Sequence, residues 1–284
     1  MRYFETHAHP DFALVENKKD YVLKSREAGI EIIVDVAVSY ESNQISTEMF
    51  PADEYPDVLF AKGLHPKNAR NSAMWTKSQR ESFEKEFLHD PRVVALKSGL
   101  DFCKKKITEQ QNRRQYDFLK MFMNLAEDYN KPLVLHIREA AEEAIDFFKD
   151  NPIRVPAEIH CFAYDKSIMN RFIYDAGIRY FGIGGKVTYI ENEELRESVR
   201  EMPLEMILLE SDAPFVKVEG ETERINTSAR AIPTVAKAIA DLKGISEEEV
   251  AEVTYKNACR FFGLQISTKK CSEDDKIDYK YVKI

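Results

Sequence analysis

The chain has 284 residues, of which 44% are hydrophobic and 32% charged, with a formal net charge of -8. That is enough apolar material for one large core, but no run of 18 apolar residues exists to span a membrane. The acidic balance also excludes a surface that attracts polyanions as a whole, so any nucleic-acid binding must rest on a local basic patch or on bound cations.

The opening stretch, Phe4-Glu5-Thr6-His7-Ala8-His9-Pro10, reads as a short strand ending in two histidines one residue apart. Alternate residues of a strand share a face. His7 and His9 are therefore expected on one side, close enough to share a divalent cation; taken alone, the pair is equally an ordinary polar strand end. Residues 18–28 follow as a helix stopped at Gly29, and Ile30-Glu31-Ile32-Ile33-Val34-Asp35-Val36-Ala37-Val38 is a second strand. A short helix is expected over 41–50. A third strand over 58–63 delivers His65, and a helix over 76–88 can be capped by Thr76.

Strand four is Val93-Val94-Ala95-Leu96-Lys97-Ser98, followed by Gly99-Leu100-Asp101 and a long amphipathic helix over 108–129. Strand five, Pro132-Leu133-Val134-Leu135, delivers His136. A helix over 139–149 leads to strand six at 157–161, which carries His160. A helix over 166–176 leads to strand seven at 179–183, and strand eight spans 206–210. Ile232, Val235, Ile239 and Leu242 then share a helical face ending at Gly244. Ser246 with Glu249 reads as a capping box for a last helix, and both final helices are expected to complete an outer ring.

Eight strands alternating with helices are the sequence form of an α/β single-domain (β/α)8 TIM-type barrel, here over residues 1–265. An open doubly wound sheet is the alternative. Gly182-Ile183-Gly184-Gly185-Lys186 lacks the spacing of a dinucleotide loop or a P-loop, and these glycines read as room at the barrel mouth. Residues 266–284 form a charged tail, although Ile277, Tyr279 and Tyr281 alternate like a strand. The cysteines at 103, 161, 259 and 271 show no CxxC spacing and are read as reduced. The N-terminus enters a strand directly with no secretory leader, so a cytoplasmic location is expected.

Active residues of a barrel come from the carboxyl ends of different strands. Thr6-His7-Ala8-His9, Gly63-Leu64-His65-Pro66, Gly99-Leu100-Asp101, Leu135-His136-Ile137-Arg138, His160-Cys161-Phe162 and Leu208-Leu209-Glu210-Ser211-Asp212-Ala213-Pro214 all fit that pattern. Together they resemble the TatD family of metal-dependent DNases. The resemblance runs from residue 3 to 264 and includes the closing Asn257-Ala258-Cys259-Arg260-Phe261-Phe262-Gly263-Leu264.

The resemblance implies a barrel of the amidohydrolase superfamily and a metal-dependent hydrolase acting on ester bonds. Its activity would be that of a deoxyribonuclease or phosphodiesterase using metal-activated water, with DNA or another phosphoester as substrate. By motif, His7, His9 and Asp212 look like ligands of a first ion, and His136 and His160 of a second. His65 is similar to the family's active-site histidine, set against the phosphate or leaving group. Two ions about 3.5–4 Å apart stabilise both the attacking and the leaving oxygen of an in-line displacement, and Asp212 could both ligate and accept a proton. Imidazole-rich ligation suits zinc, while the family's use of magnesium or manganese keeps all three open. Arg138, two residues beyond His136, reads either as a clamp on a phosphate oxygen or as half of a structural ion pair. Lys104, Lys105 and Lys106 read either as a local positive patch or as a solvated loop.

One position departs from the family. Where the resemblance implies a Glu bridging both ions, two residues before Gly99-Leu100-Asp101, this chain has Lys97. An ammonium there repels each unit of metal charge by roughly 4 kcal/mol at 4 Å and an effective dielectric near 20. Three readings remain at this level. Lys97 is carboxylated by CO2 and serves as a ligand; or it stays cationic, pairs with Asp212 and replaces one ion; or Glu210 or Asp101 takes the bridging role. One or two divalent ions per chain follow accordingly. The alternatives to a phosphodiesterase are an amide or lactone hydrolase and a metal-impaired relative that binds nucleic acid or a partner.

Overall fold

Eight parallel strands follow one another around a barrel wall in chain order. They are β1 Tyr3–Ala8, β2 Ile30–Val36, β3 Val58–Gly63, β4 Val93–Asp101, β5 Leu133–Arg138, β6 Ala157–His160, β7 Tyr180–Ile183 and β8 Ile207–Leu209. The structure is a computed structural model that describes residues 1–12, 15, 17–103, 107–222 and 227–265. Lys104, Lys105, Lys106, Cys271 and the expected tail over 266–284, with Ile277, Tyr279 and Tyr281, lie outside the described residues. Helices cover the outer face, so both faces of every strand are buried, which is why the strands read as continuous apolar runs.

The wall closes where β8 meets β1. Thr6 Oγ1 donates to Leu209 O at 3.0 Å, Asp212 N to His7 O at 2.9 Å, and His9 N to Ala213 O at 2.8 Å. With Asp212 N 2.9 Å from His7 O, this seam brings the first and last strands together at the C-terminal end of the barrel. It is the structural reason that residues 7, 9 and 212 share one place.

The opposite end is apolar. Phe4, Ile32, Val34, Leu59, Ala95, Val134 and Leu208 fill the barrel interior together with Tyr255, Ala258, Phe261 and Phe262 of the last helix, Glu247–Phe262. The Phe4 ring stacks on Phe262 at 5.5 Å and meets Tyr255 edge-on at 5.8 Å. This helix therefore plugs the N-terminal end of the barrel, where the sequence pattern placed it in the outer ring. Its adjacent Phe261 and Phe262 give it an apolar surface suited to an enclosed end.

The helix ends follow local chemistry. Thr76 accepts from Gln79 N at 3.3 Å while the Gln79 side chain accepts from Thr76 N at 2.9 Å, fixing the start of Lys77–Phe83. Ser246 accepts from Glu249 N at 3.1 Å, one half of the expected box. β4 continues to Asp101 instead of stopping at Ser98, because Gly99, Leu100 and Asp101 pair with His136, Ile137 and Arg138. Gly99 is required there: a Cβ on it would lie 2.0 Å from His136 O. Cys103, Cys161 and Cys259 are unpaired. No helix among the described residues is long and apolar enough to cross a membrane.

Candidate metal centre

The seam creates a convergence of acceptors. His9 Nδ1 lies 2.6 Å from Val36 O, so that nitrogen carries the proton and donates it to the carbonyl. The lone pair of Nε2 then faces Asp212 Oδ1 at 3.3 Å, and His7 Nε2 lies 3.9 Å from the same oxygen. Both ring nitrogens of His7 are buried without a hydrogen-bond partner. Burial first, and then Lys97 and the adjacent imidazoles, hold His7 well below the ordinary imidazole range, so it is neutral. The His9 lone pair, directed at a carboxylate with no proton between them, calls for a cation. His7, His9 and Asp212 offer three ligand atoms that all lie within 4.8 Å of one another.

His160 and His136 are each committed to a carboxylate. His160 Nδ1 lies 3.3 Å from Glu210 Oε2, and its ring stacks on His7 with centroids 3.6 Å apart. Glu210 reaches that position through the glycines of β7, since a Cβ on Gly182 would come within 2.1 Å of Glu210 Oε2. The space read from those glycines is thus filled by Glu210 beside Gly182 and Gly184 and by the Lys217 backbone beside Gly185. His136 Nε2 lies 3.2 Å from Asp101 Oδ2, which Lys67 Nζ also approaches at 3.6 Å, and Asp101 Oδ1 accepts from Cys103 N at 3.1 Å. Burial would raise the Asp101 carboxyl, but the His136 bond and nearby cations prevail and hold it at about 2.

His65 caps the short helix Pro66–Ala69, with Nδ1 accepting from Lys67 N at 3.1 Å. A ring nitrogen that accepts is unprotonated, so the proton resides on Nε2 and His65 presents a donor to its surroundings. His65 also groups with Asp101 and His136, and His7 with His160 and Glu210, at ligand-atom separations within 4.8 Å. The latter group competes with His9 and Asp212 for the same His7. The former is already satisfied by Lys67, the Cys103 amide and the cap. His136 and His160, paired by the family resemblance, fall into different groups, each with its own carboxylate.

Lys97 faces the barrel interior. Its side chain is 1% exposed and its Nζ has no hydrogen-bond partner. Gly63, Lys97, Val134 and Glu158 occupy successive register positions across β3 to β6. Burial pushes the Lys97 ammonium down to about 8, against the attraction of Asp212, Glu210 and Glu158. Burial pushes the Glu158 carboxyl up, opposed by Lys97, and neither of its oxygens is hydrogen-bonded. Arg138 is exposed at the end of β5, and its guanidinium makes no hydrogen bond or ion pair among the described residues.

The sequence model of the family described as TatD related DNase matches residues 4–263. The chain belongs to this family. It is a metal-dependent hydrolase. The metal-dependent hydrolase YcfH of Escherichia coli K12 is 26% identical over 273 residues, covering 93% of this chain and 96% of that protein. The metal-dependent hydrolase TatD of Mycobacterium tuberculosis H37Rv is 31% identical over 249 residues, covering 87% and 91%. The crystal structure of YjjV, a TatD homologue from Escherichia coli K12, superposes with a TM-score of 0.80 at 25% identity, covering 93% of this chain and 99% of that one.

Several residues that shape this TatD-family centre escape a reading of the sequence. Glu5 is fully buried, and its Oε1 accepts from His7 N at 3.1 Å and Ser211 N at 2.9 Å. One carboxylate thereby fixes both sides of the seam. Burial raises it to about 7, against the hydrogen bonds it receives from Ser211, Ser228 and the backbone. A charged residue between Phe4 and Thr6 in an otherwise buried strand is the signal that could have found it. Glu139, Cys161 and Asp212 all take positive φ, of 52°, 50° and 49°, just beyond the ends of β5, β6 and β8. Left-handed non-glycine residues of this kind cluster where a site re-aims its backbone.

Proposed function

We propose that this chain is a phosphodiesterase acting on DNA or a related phosphoester, with one divalent ion held by His7, His9 and Asp212. The observation that carries the reading is the His9–Asp212 contact, in which a fixed imidazole lone pair faces a carboxylate at 3.3 Å. Two imidazoles, one carboxylate and an open position are the donor set of a catalytic zinc-type site, which favours a late transition ion over magnesium. When bound, such an ion supplies Lewis acidity, polarising a phosphoryl oxygen and acidifying water.

The remaining steps belong to the chain. Arg138, exposed and uncommitted on the strand that carries His136, binds non-bridging phosphate oxygens. His65 directs its Nε2 proton at the substrate, suited to a phosphate or leaving-group oxygen. Asp212 accepts the proton of the attacking water with its second oxygen. Lys97 stays cationic and stands where the family would have a bridging carboxylate, adding positive charge beside Asp212 in place of a second ion. His136 and His160, braced by Asp101 and Glu210, line the cavity around it.

Elemental analysis after reloading with zinc, manganese or magnesium should give one equivalent per chain. That equivalent should be lost in His7→Ala and retained in Lys97→Ala. Hydrolysis of single-stranded DNA and of bis(p-nitrophenyl) phosphate should disappear on chelation and return with metal. Two equivalents that depend on Lys97 would replace the cationic reading by a carboxylated lysine. Turnover of lactones or amides without phosphodiester cleavage would refute the phosphodiesterase itself.

A further inference from the structure

Phe215 is 46% exposed at the barrel mouth, beside the candidate metal ligands. It is not a stray side chain on a loose loop. Phe215 N donates to Asp212 O at 2.8 Å, and Phe12 N donates to His9 O at 3.1 Å, so each ring is anchored by a turn on a candidate metal ligand three residues earlier. The two rings meet edge-to-face with centroids 4.8 Å apart. The Phe215 ring in turn meets His9 edge-on at 5.3 Å. His9 and Phe12 thus hold one side of Phe215 while part of its surface faces solvent beside the metal centre.

We infer that Phe215, braced by Phe12, is a stacking platform for the nucleobase adjacent to the reacting phosphate. The inference rests on the phosphodiesterase reading above. With its ring 5.3 Å from that of His9, Phe215 stands where the nucleoside next to a phosphate bound at the His9–Asp212 centre would lie. Every nucleobase has a flat π-face, so stacking adds affinity without base identity. This suits a chain whose net charge of -8 opposes binding through a general electrostatic attraction. The edge-to-face brace fixes the ring plane before substrate arrives, so little conformational freedom is lost on binding.

The test compares the metal-loaded wild type with Phe215→Ala and Phe215→Tyr. Substrates are short single-stranded oligonucleotides with either a base or an abasic tetrahydrofuran unit next to the scissile phosphate. Phe215→Ala should raise KM roughly ten-fold or more on the base-containing substrate, leave KM on the abasic one unchanged, and alter kcat little. Phe215→Tyr should restore the wild-type KM. Independently of turnover, a 2-aminopurine at that position should be quenched on binding to wild type and to Phe215→Tyr, but not to Phe215→Ala. Equal effects on both substrates, or no quenching by wild type, would overturn the platform. Absence of cleavage with quenching intact would sink the phosphodiesterase reading and leave the stacking surface standing.

Discussion

Two lysines on neighbouring strands are buried almost equally, Lys62 at 0% and Lys97 at 1% exposure, and burial pushes both down to about 8. Their surroundings differ in kind. Lys62 points outward from β3, where its Nζ donates to Asn43 O at 2.6 Å and Ser46 Oγ at 2.5 Å. It lies 4.3 Å from the Phe60 ring centroid and is attracted by the buried Asp35. Lys97 points inward from β4 at a cavity of carboxylates and imidazoles, with no hydrogen-bond partner among the described residues. Desolvation costs are similar for the two, so burial does not tell them apart. Satisfaction does: a buried ammonium with its donors filled ties a strand to a helix, whereas one left unfilled is retained for what it does to its cavity.

Exchanging each lysine for methionine tests that difference, and the largest effect is expected at Lys97. Lys97→Met should lower kcat on a phosphodiester by roughly 100- to 1,000-fold, the scale of losing one preorganised charge at a reacting group. Its urea midpoint should fall less than that of Lys62→Met, because the Lys97 ammonium has only its attraction to the carboxylates to lose and no hydrogen bond among the described residues. A loss of several kcal/mol of stability with kcat intact would make Lys97 a second structural lysine. Next comes Lys62→Met, which removes two hydrogen bonds and leaves the buried Asp35 with only the weaker attraction of Lys18. A cost of about 3 kcal/mol is expected, read by urea denaturation, with kcat and KM unchanged. Impaired catalysis at normal stability would show that the outer wall is coupled to the centre.

The same contrast explains what the sequence made legible. Continuous apolar runs between amphipathic stretches announce a parallel barrel, because strands buried on both faces have no polar phase. Histidines at strand ends announce the mouth for the same geometric reason. Which carboxylate each histidine meets depends on pairing between distant strands. His136 with Asp101 and His160 with Glu210 are separated by 35 and 50 residues. The inward direction of Glu158 is likewise set by register. The cap formed by His65 lies on a helix of four residues, too short to leave a periodic trace. The cap of the last helix was visible, but a cap says only where a helix begins and not what it packs against.

The smallest expected effect separates charge from packing at Lys62. Its folded pKa of about 8 lies below its ordinary 10.5, with burial the main cause. Between those values the unfolded chain holds a proton that the folded chain has released, so stability rises with pH across the window. The contribution is fully present above 10.5 and is lost as pH falls through 8. Urea denaturation at pH 8 and pH 10 should therefore show wild type gaining about 2 kcal/mol relative to Lys62→Met. Asp35, raised well above its ordinary value by burial and by Asp11, is present in both proteins and so largely cancels from their difference. A parallel pH dependence in the two proteins would mean that Lys62 keeps its proton throughout the window. The hydrogen bonds to Asn43 and Ser46, rather than burial, would then govern it.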